Sequence, residues 1–168
     1  LAYFGAKVLH PKTLRPVAGA GIPVWIRNTF APQQQGTKIT TTGHPTARGV
    51  KAITAMSDVS LITVGGRGIV GLPGVAAKTF TAAADVQANV LLISQSSSGN
   101  DICFIINSTD AARTVEKLRQ TFAFDLAHQQ VEHINVNPNI AIVAVVGERM
   151  RGLPGIAGRT FSAVGRRD

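Results

Sequence analysis

The sequence predicts an α+β fold: a ferredoxin-like β-α-β-β-α-β unit with an antiparallel sheet, used once and begun a second time. Three observations carry this reading. Strand-like and helix-like periodicities alternate in that order between Gly49 and Val136. Residues 64–85 recur as residues 145–166 at a constant offset of 81. Apolar residues make up 45% of the 168 residues, enough for a core and too many for a disordered chain.

Residues 1–21 read as two helical pieces broken at His10-Pro11, because a helix tolerates proline in its first turn. Gly21 and Pro23 close the second piece. Residues 22–28 (IPVWIRN) are β-rich. Residues 29–48, rich in Pro, Gln, Gly and Thr, read mainly as a connector, with a short strand candidate at 37–41. Residues 50–55 and 59–64 are β-prone and form one interrupted strand. A glycine-rich loop, 65–71, leads into an alanine-rich helix at 72–86, with Pro73 in its first turn. Residues 90–94 and 102–106 (ICFII), around a polar turn at 96–100, predict an antiparallel hairpin. Asp110 is placed to cap a helix running to Phe122, and residues 131–136 supply a further strand.

The repeat is the strongest single feature. VGGRGIVGLPGVAAKTFTAAAD aligns with VVGERMRGLPGIAGRTFSAVGR, and Gly-Leu-Pro-Gly and Thr-Phe recur in register. One module is therefore present twice. The second copy stops where the first enters its 90–94 strand, and a β-α start cannot bury its own apolar face. The expectation is a second module that is cut.

Gly66-Arg67-Gly68-Ile69-Val70-Gly71 spells G-x-G-x-x-G between a strand and a helix, the context of a dinucleotide fingerprint. Three features oppose that chemistry. The next strand ends in Ile-Ser-Gln where an acid should meet a ribose, and the first acid beyond it is Asp101. An antiparallel hairpin follows instead of a crossover helix. The second copy has Arg149 where the central glycine should be. What remains is a loop feeding a helix N-terminus, whose unpaired N–H groups suit a carboxylate as well as a phosphate. Gln95, at the end of the next strand, offers an amide donor and acceptor. An ordinary polar turn accounts for Gln95 equally well.

No catalytic constellation is present in the sequence. His10, His44, His128 and His133 lack partners at ligand spacing, so no metal site is expected. Cys103 alternates with Ile102 and Phe104 and reads as a core residue. Asp101 and Asp110 read as turn and cap residues. A lone cysteine excludes a disulfide framework and suits a reducing compartment, here the cytoplasm. No apolar run reaches the ~18 residues of a membrane span. The formal charge is +8, and seven Lys or Arg precede the first acid, Asp58. They are scattered rather than clustered, and Tyr3 and Trp25 do not interleave with them. This argues against a nucleic-acid footprint.

LAYFGAKVLHPKTLRP (1–16), IPVWIRNTFAPQQQGTKI (22–39), GLPGVAAKTF (71–80) and LLISQSSSGNDICFII (91–106) together resemble aspartokinase over essentially the whole chain. The resemblance implies the junction between kinase and regulatory parts, followed by tandem ACT domains. It divides the chain into the end of the kinase domain plus linker (1–48), a first ACT domain (49–136) and the β-α start of a second (137–168). It implies allosteric feedback control of an enzyme that phosphorylates aspartate with ATP, in a region that is not itself catalytic. ATP and Mg would belong to the kinase part, and no cofactor is expected here. ACT modules of that family pair across subunits, so a homodimer is expected. Carried over by position, the effector site comprises Ile69, Gly71, Leu72, Val75 and Ala76 from loop and helix, and Asn89, Val90, Leu91, Gln95 and Ser96 from the facing strand. Lysine-sensitive members tend to carry an aspartate where this chain has Leu91. LLISQSSS looks more like the threonine-sensitive group fused to homoserine dehydrogenase. Threonine is therefore favoured as effector, with lysine second. Two other readings stay open: a ligand-free dimerisation scaffold, and a nucleotide- or nucleic-acid-binding module.

Overall fold

The computed structural model describes residues 9–41, 49–96, 99–147, 150 and 152–166. The first helical piece expected before His10 falls almost wholly outside them. The chain divides into two compact units, residues 56–142 and residues 1–55 with 143–168.

In the unit formed by 56–142, the sheet order is β4-β5-β3-β6. Here β3 is Val50–Gly65, β4 Leu92–Gln95, β5 Asp101–Asn107 and β6 His133–Gly147. The first part of β3 and the last part of β6 belong to the other unit. β5 runs antiparallel to both β3 and β4. Helix α2 (Val75–Asp85) follows β3, and α3 (Ser108–Thr121) follows β5. This is the β-α-β-β-α-β order, with the two helices on one face of the sheet.

Register explains the core. Ile62 stands opposite Phe104 and Val64 opposite Ile102 on β3 and β5, so alternate residues of both strands point toward the helices. Ile62, Val64, Phe104, Ile106, Leu118 and Phe122 are all fully buried. Phe80 of α2 meets Phe104 edge-to-face, with centroids 5.6 Å apart. Thr79 and Thr114 are buried without cost, because each hydroxyl donates to the carbonyl four residues back, of Val75 and Asp110.

Several elements differ from the sequence-based expectation. Helix α2 begins at Val75, not at residue 72, because Gly74 adopts a left-handed conformation (φ 86°) as its N-cap. Pro73 therefore lies in the preceding turn. Asp110 does not cap α3: Asn107 takes that position, and Asp110 sits in the first turn, 2.7 Å from Arg113. A short helix α4 (Ala123–Ala127) was not foreseen. The strands expected at 131–136 and before residue 147 are one strand, β6, which continues through Pro138 and Asn139. β3 is likewise continuous, with Asp58 at positive φ marking its irregularity.

In the other unit, α1 (Pro11–Gly19) starts at the expected proline, and the His10 side chain accepts from the Lys12 N–H. Residues 29–48 are not only connector. β2 (Thr37–Ile39) pairs antiparallel with β1 (Val24–Ile26), and Arg27 donates to the Gln34 carbonyl across the intervening loop. α5 (Ile156–Val164) reproduces α2 at the repeat offset. Gly155 is left-handed at its N-cap (φ 82°), as Gly74 is for α2. Thr160 donates to the Ile156 carbonyl at 2.9 Å, as Thr79 does to Val75 at 2.8 Å. The repeat in sequence is thus a repeat in backbone geometry.

Candidate functional site

The loop after β3 is short and tightly turned. Gly65 ends the strand, residues 67–69 form one 3-10 turn, and Gly71 and Gly74 take positive φ before α2. Beside it lies a cavity of about 230 Å³, lined by Ile69, Val70, Gly71, Leu72, Gly74, Val75, Ala76, Gln95, Gly99 and Ile102. Gln95 reaches this space because it stands opposite Ile102 in the β4–β5 register and so shares the helix-side face. The N-terminal turn of α2 opens toward the same cavity. Its first N–H groups are those a helix leaves unpaired, and they carry the positive end of the helix dipole.

Chemically, the cavity is an apolar wall with a few polar groups at one end. Among the described lining residues no side chain is charged. Such a site can hold a small molecule with one carboxylate end and a compact, uncharged side chain. Of the ten expected site residues, it is lined by Ile69, Gly71, Leu72, Val75, Ala76 and Gln95. The other four stand elsewhere. Val90 packs against the core, Asn89 is exposed, Leu91 donates its N–H to the Ile105 carbonyl, and Ser96 donates to the Asp101 carbonyl.

The structure also explains the G-x-G-x-x-G spelling. Gly66 adopts φ 151°, and a β-carbon there would lie 2.6 Å from the Glu132 nitrogen. A β-carbon on Gly68 would lie 2.6 Å from the Gln130 carbonyl oxygen. The first two glycines of the motif therefore allow the loop to lie directly on residues 130–132. Sequence reasoning missed this platform, whose residues lie more than 60 positions away. At Gly65, a side chain would strike Asp101 and His133. Its absence leaves those two side chains 3.5 Å apart across the strand. His133, read from sequence as lacking an acidic partner, thus has Asp101 beside it. No group of three or more metal-capable side chains occurs among the described residues.

With fold and cavity in place, comparison with known proteins defines the class. The family model for the ACT domain matches residues 62–122, the segment that holds the loop, α2, the hairpin and α3. The chain is an ACT-domain protein. More particularly, it carries the ACT regulatory region of the aspartokinases. It is 36% identical over 99% of its length to the chloroplastic bifunctional aspartokinase/homoserine dehydrogenase of Daucus carota. It is 39% identical over 98% of its length to the bifunctional enzyme of Haemophilus influenzae. It spans about a fifth of those relatives, 19% and 20% respectively. The aspartate kinase of Clostridium acetobutylicum shares the fold over the whole chain and 38% of its own, with TM-score 0.84 at 23% identity.

Proposed function

We propose that the cavity between the 66–74 loop and Gln95 binds a free amino acid, and that this binding provides feedback control of an attached aspartate kinase. The observation that carries the proposal is the composition of the cavity. It joins the N-terminal end of a helix, which favours a carboxylate, to a wall of Ile69, Val70, Val75 and Ile102 with one amide, Gln95. Threonine fits this better than lysine. Its hydroxyl can bond to an amide, whereas lysine adds a second, side-chain ammonium that would need an acid, and none is among the described lining residues. To inhibit, the amino acid must bind one arrangement of the enzyme better than the active one.

In this reading residues 1–48 close the kinase part, 49–136 form the first ACT domain and 137–168 begin a second. The matched cap geometry of α2 and α5 supports that division. ATP and Mg belong to the kinase part, catalysis lies outside this region, and the compartment is the cytoplasm or its organellar equivalent. Pairing of two copies is favoured by β4, an edge strand on which Leu92 and Ile93 are exposed. The same observation supports a ligand-free dimerisation scaffold as the second reading.

Isothermal titration with threonine, lysine and methionine separates the two. The expected result is heat with threonine, abolished or weakened about tenfold in Gln95→Ala, the equivalent of ~1.4 kcal/mol. A folded dimer that gives no heat with any of the three supports the scaffold and rejects the effector site.

A further inference from the structure

The loop that lines the cavity is held from outside it, by a residue that is not among those lining the cavity. Residues 125–133 form the platform beneath the loop. The Asp125 carbonyl accepts from the N–H groups of Gln130 and Val131, at 2.9 and 3.2 Å. Its carboxylate, largely buried, accepts from the Lys78 ammonium of α2 at 2.6 Å. The platform is thus tied to the helix that begins at the cavity. Above it, Gly66 and Gly68 leave no gap. The Glu132 N–H donates to the Gly65 carbonyl at 2.8 Å, and one Glu132 carboxylate oxygen accepts from both the backbone N–H and the side-chain Nε of Arg67, at 3.1 and 3.2 Å.

We propose that Glu132 is a positioning residue for the effector loop: its carboxylate clasps Arg67, seats residues 66–71 on the platform, and so sets the affinity of the cavity. The effect on affinity rests on the function proposed above; the seating of the loop does not. The physical case is that the carboxylate satisfies a backbone N–H at the start of the 3-10 turn, where no preceding turn supplies an acceptor. A charge-assisted bond to that N–H fixes the backbone itself. The guanidinium, 90% exposed, adds a second bond that solvent competes for. The backbone bond is therefore the larger contributor. Since Glu132 leads straight into β6, the clasp also links the loop to a strand that continues beyond this unit.

The test is hydrogen exchange on the full 168-residue chain, with threonine titration in parallel, for wild type, Glu132→Ala, Glu132→Gln and Arg67→Ala. Glu132→Ala should speed exchange of amides 67–72 about tenfold, while the core amides of Phe104 and Leu118 change less than about twofold. Glu132→Gln keeps an acceptor oxygen and should recover part of the protection. Arg67→Ala keeps the backbone N–H and should lose less than Glu132→Ala. Threonine affinity should fall in the same order. Unchanged loop exchange in Glu132→Ala overturns the clasp. So does equal acceleration of the core amides, which would mark a merely structural role. Loop exchange that rises with threonine affinity unchanged overturns the link to the site. If the wild type binds no amino acid, the proposed function fails, and the exchange result alone decides the clasp.

Discussion

Gly68 and Gly71 are three residues apart in one loop, and their substitution should fail for different reasons. At Gly68 an added β-carbon meets the backbone of Gln130, at 2.6 Å from its oxygen and 2.7 Å from its Cα. Neither atom belongs to a flexible side chain, so Gly68→Ala should cost about 1–3 kcal/mol by denaturant unfolding and displace the loop. Gly71 has open space around it but φ 75°, so Gly71→Ala should cost only about 1–2 kcal/mol, the penalty of a left-handed residue. The sequence pointed to a special backbone at Gly71, which recurs as Gly152 in the second copy, but not at Gly68, where that copy has Arg149. It did not show what approached the glycines, because the platform is supplied by residues 130–132. A phosphate and a neighbouring strand make the same demand on a glycine. Glu132 gives a second test at this scale. The Arg67 backbone N–H, then the Arg67 side chain, holds its carboxyl below the ordinary value. The titratable and charged groups around it are Arg67 on the loop and His133, the next residue, with Asp101 beyond His133. A depressed folded-state pKa stabilises fully above the unfolded value of ~4.3 and loses its effect as pH falls through the folded value. Exchange of the loop amides, corrected for intrinsic rate, should therefore be flat from pH 7 to about 5 and rise below 4. Loop exchange that stays flat below pH 4 would show that the Glu132 charge does not hold the loop.

Among the elements, the helix pair is held by more than apolar contact. Lys78 on α2 lies over the Phe122 ring, 4.9 Å from its centroid, and ends on Asp125 of α4. Asp125 is 7% exposed, whereas the Lys78 side chain is about half exposed. Lys78→Met keeps the apolar stem on the ring and leaves a buried carboxylate without its cation. It should destabilise by about 1–3 kcal/mol, measured by urea unfolding, and Asp125→Asn in the same background should recover part of that. A gain in stability would show that solvent already screens the pair. Element by element, the sequence was most legible where periodicity ruled. β5 and α2 follow their apolar spacing, and the repeat in α5 follows the same cap geometry. It was least legible at junctions. Leu72-Pro73 resembles a helix start, yet the left-handed Gly74 delays the helix by one turn. Asp110 resembles a cap, yet its side chain is engaged by Arg113. Asn137-Pro138-Asn139 resembles a turn, yet β6 passes through it, with Asn139 absorbing the irregularity at φ 62°. In the first two cases a neighbour within three residues outweighed the local preference, and in the third the strand did.

At the scale of the whole molecule, the chain's two compact units make the proposed function thermodynamically addressable. Every residue lining the cavity lies between Ile69 and Ile102, inside the unit 56–142. A ligand that binds only the folded form of that unit stabilises it by RT ln(1 + [L]/Kd), about 2.7 kcal/mol at a hundredfold excess over Kd. For a unit of this size each kcal/mol moves the midpoint by roughly 4–8 °C, so saturating threonine should raise it by about 10–20 °C. The other unit contains none of those lining residues and has no direct reason to respond. Scanning calorimetry should therefore show one transition that climbs with threonine concentration and one that does not, provided the units unfold separately. Gln95→Ala should flatten the climb without moving the ligand-free midpoint by more than about a degree, since an exposed Gln95 contributes little to folding. Lysine at the same concentrations should move neither transition, because its ammonium would be buried against Ile69 and Val75 without a counter-ion. A lysine response equal to that of threonine would reject the proposed effector while leaving the site in place. A response of the other transition alone would move the site to residues 1–55 and 143–168.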